Sequence, residues 1–250
     1  MINIVEKHEA DFSGYTLIEG FPGLGLVGTI TANYLVEKLS FEKYAHIEAD
    51  FFLPVVRVHN GWPRHPSIIY VNHELKLLVV YSEQIIPKTS VFEVAKTIAE
   101  WAKKRNVARV ISLEGIYTQS AEQNNSEATE VYGIACNEKA KEELLKNGVK
   151  LVEEGITSGV SSILMLELTK NSDIVSYCLL GKVSVIEDYH SAAICLNKLA
   201  QILGIRIDTQ PLLKEAKRLE ATLAKHISDM KKVQDSVQRF EDSGNPLMYT

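Results

Sequence analysis

Gly20-Phe21-Pro22-Gly23-Leu24-Gly25-Leu26-Val27-Gly28 is the stretch of this chain whose residue types and spacing could most directly do chemistry. Gly23-x-Gly25-x-x-Gly28 has the spacing of a dinucleotide-binding turn, in which glycines let the backbone approach a pyrophosphate and helix N–H groups hold its charge. The apolar run Tyr15-Thr16-Leu17-Ile18 precedes it, a helical pattern from Leu24 to Leu39 follows, and Asp50 is placed in sequence where such proteins put an acid on a ribose. The competing reading is a tight strand-to-helix junction whose small residues allow close packing. Pro22 favours that second reading, because it removes an N–H donor from the loop.

Other constellations are weaker. Gly155-Ile156-Thr157-Ser158-Gly159 has the outline of a nucleophile elbow but carries Thr157 at its centre, and a Ser/Thr cap on the following helix explains the same residues more simply. His59, His65 and His73 fall close together, yet their spacing matches neither a helical i, i+4 pair nor a zinc pattern, so they read as loop and strand-surface residues. Glu187-Asp188-Tyr189-His190 precedes a helix beginning near Ser191, where acidic residues favour the dipole and act as a cap. The polar run Gln119–Glu127 reads as a solvated loop. No Ser-His-Asp triad, carboxylate pair or Cys-His pair can be nominated from spacing, so no catalytic residue, metal site or cofactor is expected.

The elements that must position these residues alternate. Candidate strands are Tyr15–Glu19, Ile47–Phe52, Val55–Val58, Ile68–Val71, Leu77–Ser82, Arg109–Leu113, Gly133–Cys136 and Val175–Leu180. Candidate helices are Leu24–Leu39, Val91–Arg105, Asn137–Asn147, Ser158–Thr169 and Ser191–Leu203. This order predicts βα units around a largely parallel sheet, an α/β class. Val55 to Ser82 leaves no room for a crossover helix and reads as a meander or hairpin insertion, with a turn-rich stretch from His59 to Pro66.

Composition bounds the function. The chain has 250 residues, is 46% hydrophobic and carries a net charge of −5 from 27 basic and 32 acidic side chains. That suffices for one sizeable core, and the absence of a basic block makes nucleic acid an unexpected partner. Cys136, Cys178 and Cys195 are far apart in apolar surroundings without C-x-x-C spacing, as expected of reduced structural thiols. The N-terminal residues lack the pattern of a signal peptide, and no run approaches the ~20 apolar residues of a membrane span, so a cytoplasmic protein without a membrane partner is expected.

After Pro211 the pattern changes. Leu212, Ala216, Leu219, Leu223, His226, Met230, Val233, Val237 and Phe240 step alternately by 4 and 3, a heptad seam over about four heptads. It must bury itself either against its own domain or against other protomers. Beyond it, residues 241–246 break the helix, and Leu247-Met248-Tyr249-Thr250 reads either as a frayed end or as a docking plug. In the second case Met248 fills an apolar slot, Tyr249 adds a ring and a hydroxyl, and Thr250 supplies a carboxylate. The expected division is a core over 1–208, an amphipathic helix over 209–240 and a flexible tail over 241–250.

Together, the Gly20–Gly28 turn, Gly155–Gly159 leading into Ile163-Leu164-Met165-Leu166-Glu167, and the segment from Asp188 to Gly204-Ile205-Arg206-Ile207-Asp208-Thr209-Gln210-Pro211-Leu212-Leu213 resemble the proteasome assembly chaperone family in its archaeal form. The likeness spans roughly residues 1–225. It implies a three-layer α/β/α core similar to phosphorylase/hydrolase-like folds, no enzyme activity, and a fold-signature role for Gly20, Pro22, Gly23, Gly25 and Gly28. It also implies a C-terminal hydrophobic-Tyr-X motif that docks between α subunits of the 20S proteasome, matched here by Met248-Tyr249-Thr250. Where many archaeal relatives have Asp-Pro opening the late helix, this chain has Asp188-Tyr189. The resulting expectation is a homo-oligomeric, ATP-independent proteasome-binding protein whose seam, Leu212, Ala216, Leu219, Leu223, Met230 and Val233, joins protomers. The alternative is a nucleotide- or dinucleotide-binding enzyme using Gly23, Gly25, Gly28 and Asp50.

Overall fold

The computed structural model describes residues 2–117, 130–170, 173–183, 188–212 and 214. Strand β1 (Ile2–Glu6) alternates half-buried and exposed residues, as a sheet edge does. Strand β2 (Thr16–Gly20) is buried throughout and passes through one 3-10 turn (Leu24–Leu26) into helix α1 (Val27–Lys38). Next come β3 (Glu42–Ala49), β4 (Arg57–His59), β5 (Trp62–Arg64), β6 (Ser67–Asn72) and β7 (Leu77–Ser82), then α2 (Val91–Lys104). The rest is β8 (Arg109–Ile116), β9 (Val131–Ala135), α3 (Glu138–Lys146), β10 (Lys150–Leu151), α4 (Val160–Thr169), β11 (Val175–Lys182) and α5 (Tyr189–Leu203).

Nine strands form one sheet in the order β1-β3-β6-β7-β2-β8-β11-β9-β10. Its centre, β7-β2-β8-β11, is parallel, and antiparallel strands extend it towards both edges. Helices cover both faces: α1 packs with α5, and α2 packs with α4. One core joins Ile18, Ile30, Leu35, Leu113, Leu144 and Leu199, and the other joins Leu17, Val80, Val94, Ile98, Val110 and Leu164. Residues alternating along β2 and β8 therefore feed opposite cores, which is why these strands are buried almost without interruption. The chain is α/β with three layers. No helix among the described residues is long and apolar enough to cross a membrane.

Several boundaries move from the sequence expectation. The first helix begins at Val27 rather than Leu24, because Gly25 (φ 64°) and Leu26 (φ 51°) take left-handed backbone and interrupt it. The strand expected over Ile47–Phe52 is Glu42–Ala49, since pairing with β1 and β6 extends it towards the charged residues Glu42 and Lys43. Phe51 and Phe52 lie beyond it and pack against the second core. Strand β1 has no counterpart in the sequence reading. It is anchored by Glu6, which accepts hydrogen bonds from Trp101 Nε1 at 2.7 Å, Arg105 Nε at 2.9 Å and Tyr44 Oη at 3.0 Å. Strand β5 contains Pro63 and sits only in a two-stranded hairpin with β4, where a lost N–H is tolerated. Asn60 and Gly61 both have positive φ at that hairpin's tip, the conformation a two-residue turn between twisted strands requires.

Candidate functional site

The glycine turn sits at the carboxyl end of β2, in the middle of the sheet. A side chain on Gly20 or Gly28 would collide with backbone of the other turn or of β8: a Cβ on Gly20 meets the Gly28 carbonyl, and one on Gly28 meets the Leu113 carbonyl. These glycines let α1 start directly against β2 and β8. Gly23 faces something else. A Cβ there would overlap the Glu114 carboxylate. Pro22 is half-buried in the bend before it.

Glu114 occupies the place that a bound anion would take in the dinucleotide reading. Its Oε1 accepts the Leu24 backbone N–H at 2.7 Å and the Gly115 N–H at 2.9 Å, and its Oε2 accepts Ser161 Oγ at 3.4 Å. The Leu24 N–H of the turn is thereby consumed by a carboxylate from the neighbouring strand. On β2, Glu19 Oε1 accepts the Phe21 N–H at 2.9 Å, while its Oε2 is buried without a hydrogen-bond partner. Glu19 pairs in register with Ser112, so Glu19, Ser112 and Glu114 share the sheet face covered by α4. Burial pushes the Glu114 carboxyl up to about 8, and the nearby Glu19 adds to the rise. Burial likewise raises Glu19. Among the described residues no lysine or arginine pairs with either.

A cavity of about 140 Å³ opens beside Glu114, lined among others by Leu24, Ile116, Tyr117, Ile156 and Ser158. Among the described residues no histidine or cysteine lines it. The arrangement can hold a proton and donate or accept hydrogen bonds at the carboxyl edge of the sheet. Among the described residues that line it, no nucleophile is paired with a base. Asp50 does not reach the turn: it follows β3, which stands three strands away from β2, whereas a ribose-binding acid belongs on the adjacent strand.

The remaining candidates resolve differently. The expected Ser/Thr cap on α4 is absent: Gly159 (φ 96°) is the N-cap and no side chain caps the helix, while the Thr157 hydroxyl pairs with that of Ser162. Asp188 does cap α5, accepting the Ser191 N–H at 2.9 Å, so Tyr189 in place of proline leaves a side-chain cap in place. His59, His65 and His73 do not gather. His73 Nδ1 bonds Tyr15 Oη at 3.0 Å, and His59 lies beside Asn60, whereas His65 stacks on His46. Cys136, Cys178 and Cys195 are free thiols. Leu212, expected in an inter-protomer seam, is instead fully buried in the chain's own first core, next to the point where Tyr34 Oη donates to the Asp208 carbonyl at 2.7 Å. Ala216, Leu219, Leu223, Met230, Val233 and the tail residues Met248, Tyr249 and Thr250 lie outside the described residues.

Sequence reasoning did not nominate Glu19 or Glu114. A signal was present: Glu19-Gly20 and Glu114-Gly115 are acidic-glycine pairs following the mostly apolar runs Leu17-Ile18 and Val110-Ile111-Ser112-Leu113, where an ionisable residue calls for a reason.

The model of the PAC2 family matches residues 17–227. A Methanocaldococcus jannaschii protein described as uncharacterized is 28% identical over 222 residues, 89% of each chain. The crystal structure of Pyrococcus furiosus PbaA, described as an archaeal homolog of proteasome-assembly chaperone, matches with a TM-score of 0.80 and 31% identity over 94% of this chain and 100% of that one. Pyrococcus furiosus PbaB, described as an archaeal proteasome activator, shares the fold with a TM-score of 0.70 at 24% identity, over 90% and 98% of the two chains. With a family model running from the central strand β2 past α5, over residues 17–227, this chain belongs to the PAC2 family.

Proposed function

We propose that this chain is a proteasome-binding protein, an assembly chaperone or an ATP-independent activator, that acts as a homo-oligomer and docks its C-terminal residues into pockets of the 20S α ring. The observation that carries the reading is the likeness to PbaA across 94% of this chain. The end of the sequence supports it, because Met248-Tyr249-Thr250 combines an apolar side chain, a tyrosine and a carboxylate in the order a small docking plug needs. The glycine turn is consistent with it, because the Leu24 N–H, a donor the dinucleotide reading would aim at a pyrophosphate, is engaged by Glu114.

A single short tail binds weakly, since ordering it offsets much of its contact energy. Several tails carried by one oligomer gain by effective concentration, by about 10²–10⁴ in avidity. That gives the heptad residues Ala216, Leu219, Leu223, Met230 and Val233 a purpose, as the seam that gathers protomers. Pull-down of 20S core particle with the intact chain and with one lacking Tyr249 and Thr250 tests the proposal: capture is expected with the first and not with the second. Replacing Leu219→Asp together with Leu223→Asp is expected to lower the mass seen by light scattering. Unchanged mass would place that segment against its own domain.

A further inference from the structure

His46 and Glu48 stand two residues apart on β3 and so project from the same face. His65 reaches that face from the residue after β5, two before β6 begins. The His46 and His65 rings stack with centroids 3.6 Å apart and planes 25° from parallel. Both Nε2 atoms converge on one oxygen, Glu48 Oε1, at 2.9 Å from His46 and 4.0 Å from His65. One ligand atom from each of the three residues lies within 4.8 Å of the others.

We infer that His46, Glu48 and His65 form a binding site for one divalent transition-metal ion of the zinc class, outside the proposed proteasome-docking residues. Around a tetrahedral zinc with bonds of about 2.0–2.2 Å, neighbouring ligand atoms stand about 3.3 Å apart. The two separations from Glu48 Oε1 bracket that value and all three ligand atoms lie within 4.8 Å of one another, so rotating the stacked rings out of parallel would turn both nitrogens onto one ion. Two imidazoles and one carboxylate select zinc, nickel, cobalt or copper over calcium and magnesium, which take oxygen ligands. Three protein ligands leave a fourth position for water.

An ordinary surface ion pair accounts for less of this arrangement. The single hydrogen bond from His46 satisfies Glu48 Oε1, whereas His65 stays too far for one and still presents the same nitrogen. Lys43 opposes a cation there, and the Glu48 carboxylate offsets it. The Glu48 and His65 side chains are exposed enough for an ion to enter, at 51% and 42%. Filling the site would tie β3 to the base of the β4–β5 hairpin and shorten the free span that carries the exposed Val58 and Trp62.

Calorimetric titration of the EDTA-treated full chain with zinc chloride tests this. One equivalent is expected to bind with a dissociation constant of about 10 µM or tighter, and Glu48→Gln and His65→Asn are each expected to weaken it by about 10–100-fold. His73→Asn, remote from the cluster, is expected to leave it unchanged. Both key substitutions fall on exposed side chains, and circular dichroism verifies that the variants fold. Cobalt(II) in place of zinc is expected to give the visible absorption of a four-coordinate site, absent from His46→Asn. Zinc binding weaker than about 1 mM, or undiminished in the Glu48→Gln, His65→Asn double variant, overturns the inference.

Discussion

Two carboxylate clusters, one partly and one fully buried, lie at opposite edges of the parallel strands and are treated in opposite ways. At the amino edge, Glu6 sits between Arg105, Trp101 and Tyr44, with every contact a donor, and Arg105 also reaches Glu9 at 2.8 Å. Burial pushes the Glu6 carboxyl up, but the Arg105, Trp101 and Tyr44 bonds outweigh it and hold it below its ordinary value. At the carboxyl edge, Glu19 and Glu114 accept backbone N–H groups, and Glu114 also the Ser161 hydroxyl, with no cation paired to either among the described residues, and burial raises both. The first cluster fastens β1 and α2 to the sheet. The second closes the glycine turn on itself, and its unsatisfied Glu19 oxygen is a cost that the fold carries where α/β proteins place their ligands.

Removing the cation is expected to break the contrast with the largest effect. Arg105→Ala leaves Glu6 partly buried and unpaired, and a loss of about 3 kcal/mol is expected in urea unfolding at pH 7. The same substitution made in a Glu6→Gln background is expected to cost clearly less, because no orphaned charge remains.

The pH dependence of the two clusters has opposite signs. Glu6, depressed in the folded state, contributes stability that is fully present above the unfolded value of 4.5 and is lost as pH falls below it through the lower folded value. Glu114, raised to about 8, behaves in reverse: its contribution is fully present below 4.5 and is lost as pH rises towards 8. Glu114→Gln keeps an acceptor for the Leu24 and Gly115 N–H groups and is expected to flatten the stability profile between pH 5 and 8, gaining on the order of 1–2 kcal/mol over the parent at pH 8. Glu114→Ala removes the acceptor and is expected to cost about 2 kcal/mol at pH 5. Melting temperatures across that range read both.

The smallest effect sharpens the comparison by supplying an ordinary carboxylate at the carboxyl edge. Asp188 caps α5, and Asp188→Ala is expected to lower stability by about 1 kcal/mol at pH 7, measured by denaturant midpoint.

How much of this was legible in the sequence depends on the kind of signal. The central strands and the helices could be read because burial on both faces makes β6 and β7 continuous apolar runs and leaves α2 a clear amphipathic period. Strand β1 escaped because it is short and is fixed by contacts from Trp101 and Arg105, residues far along the chain. The partnership of Glu19 with Glu114 escaped for the same reason: each is one acid in an apolar strand, and only the parallel pairing of β2 with β8 brings them to one face. His46 and Glu48 were hidden until the β3–β6 pairing brought His65 across. The Met248-Tyr249-Thr250 motif needs no fold to be read, since its chemistry is local.

The central claim, docking through those residues, is tested most directly by the binding of 20S core particle to the full chain and to the same chain with one glycine added after Thr250. The extension moves the carboxylate by one residue and leaves the body, seam and side chains untouched. Biolayer interferometry is expected to show a loss of at least about 100-fold in affinity on extension, as avidity collapses when each docking contact fails. Equal affinity of the two chains for the core particle would contradict the account.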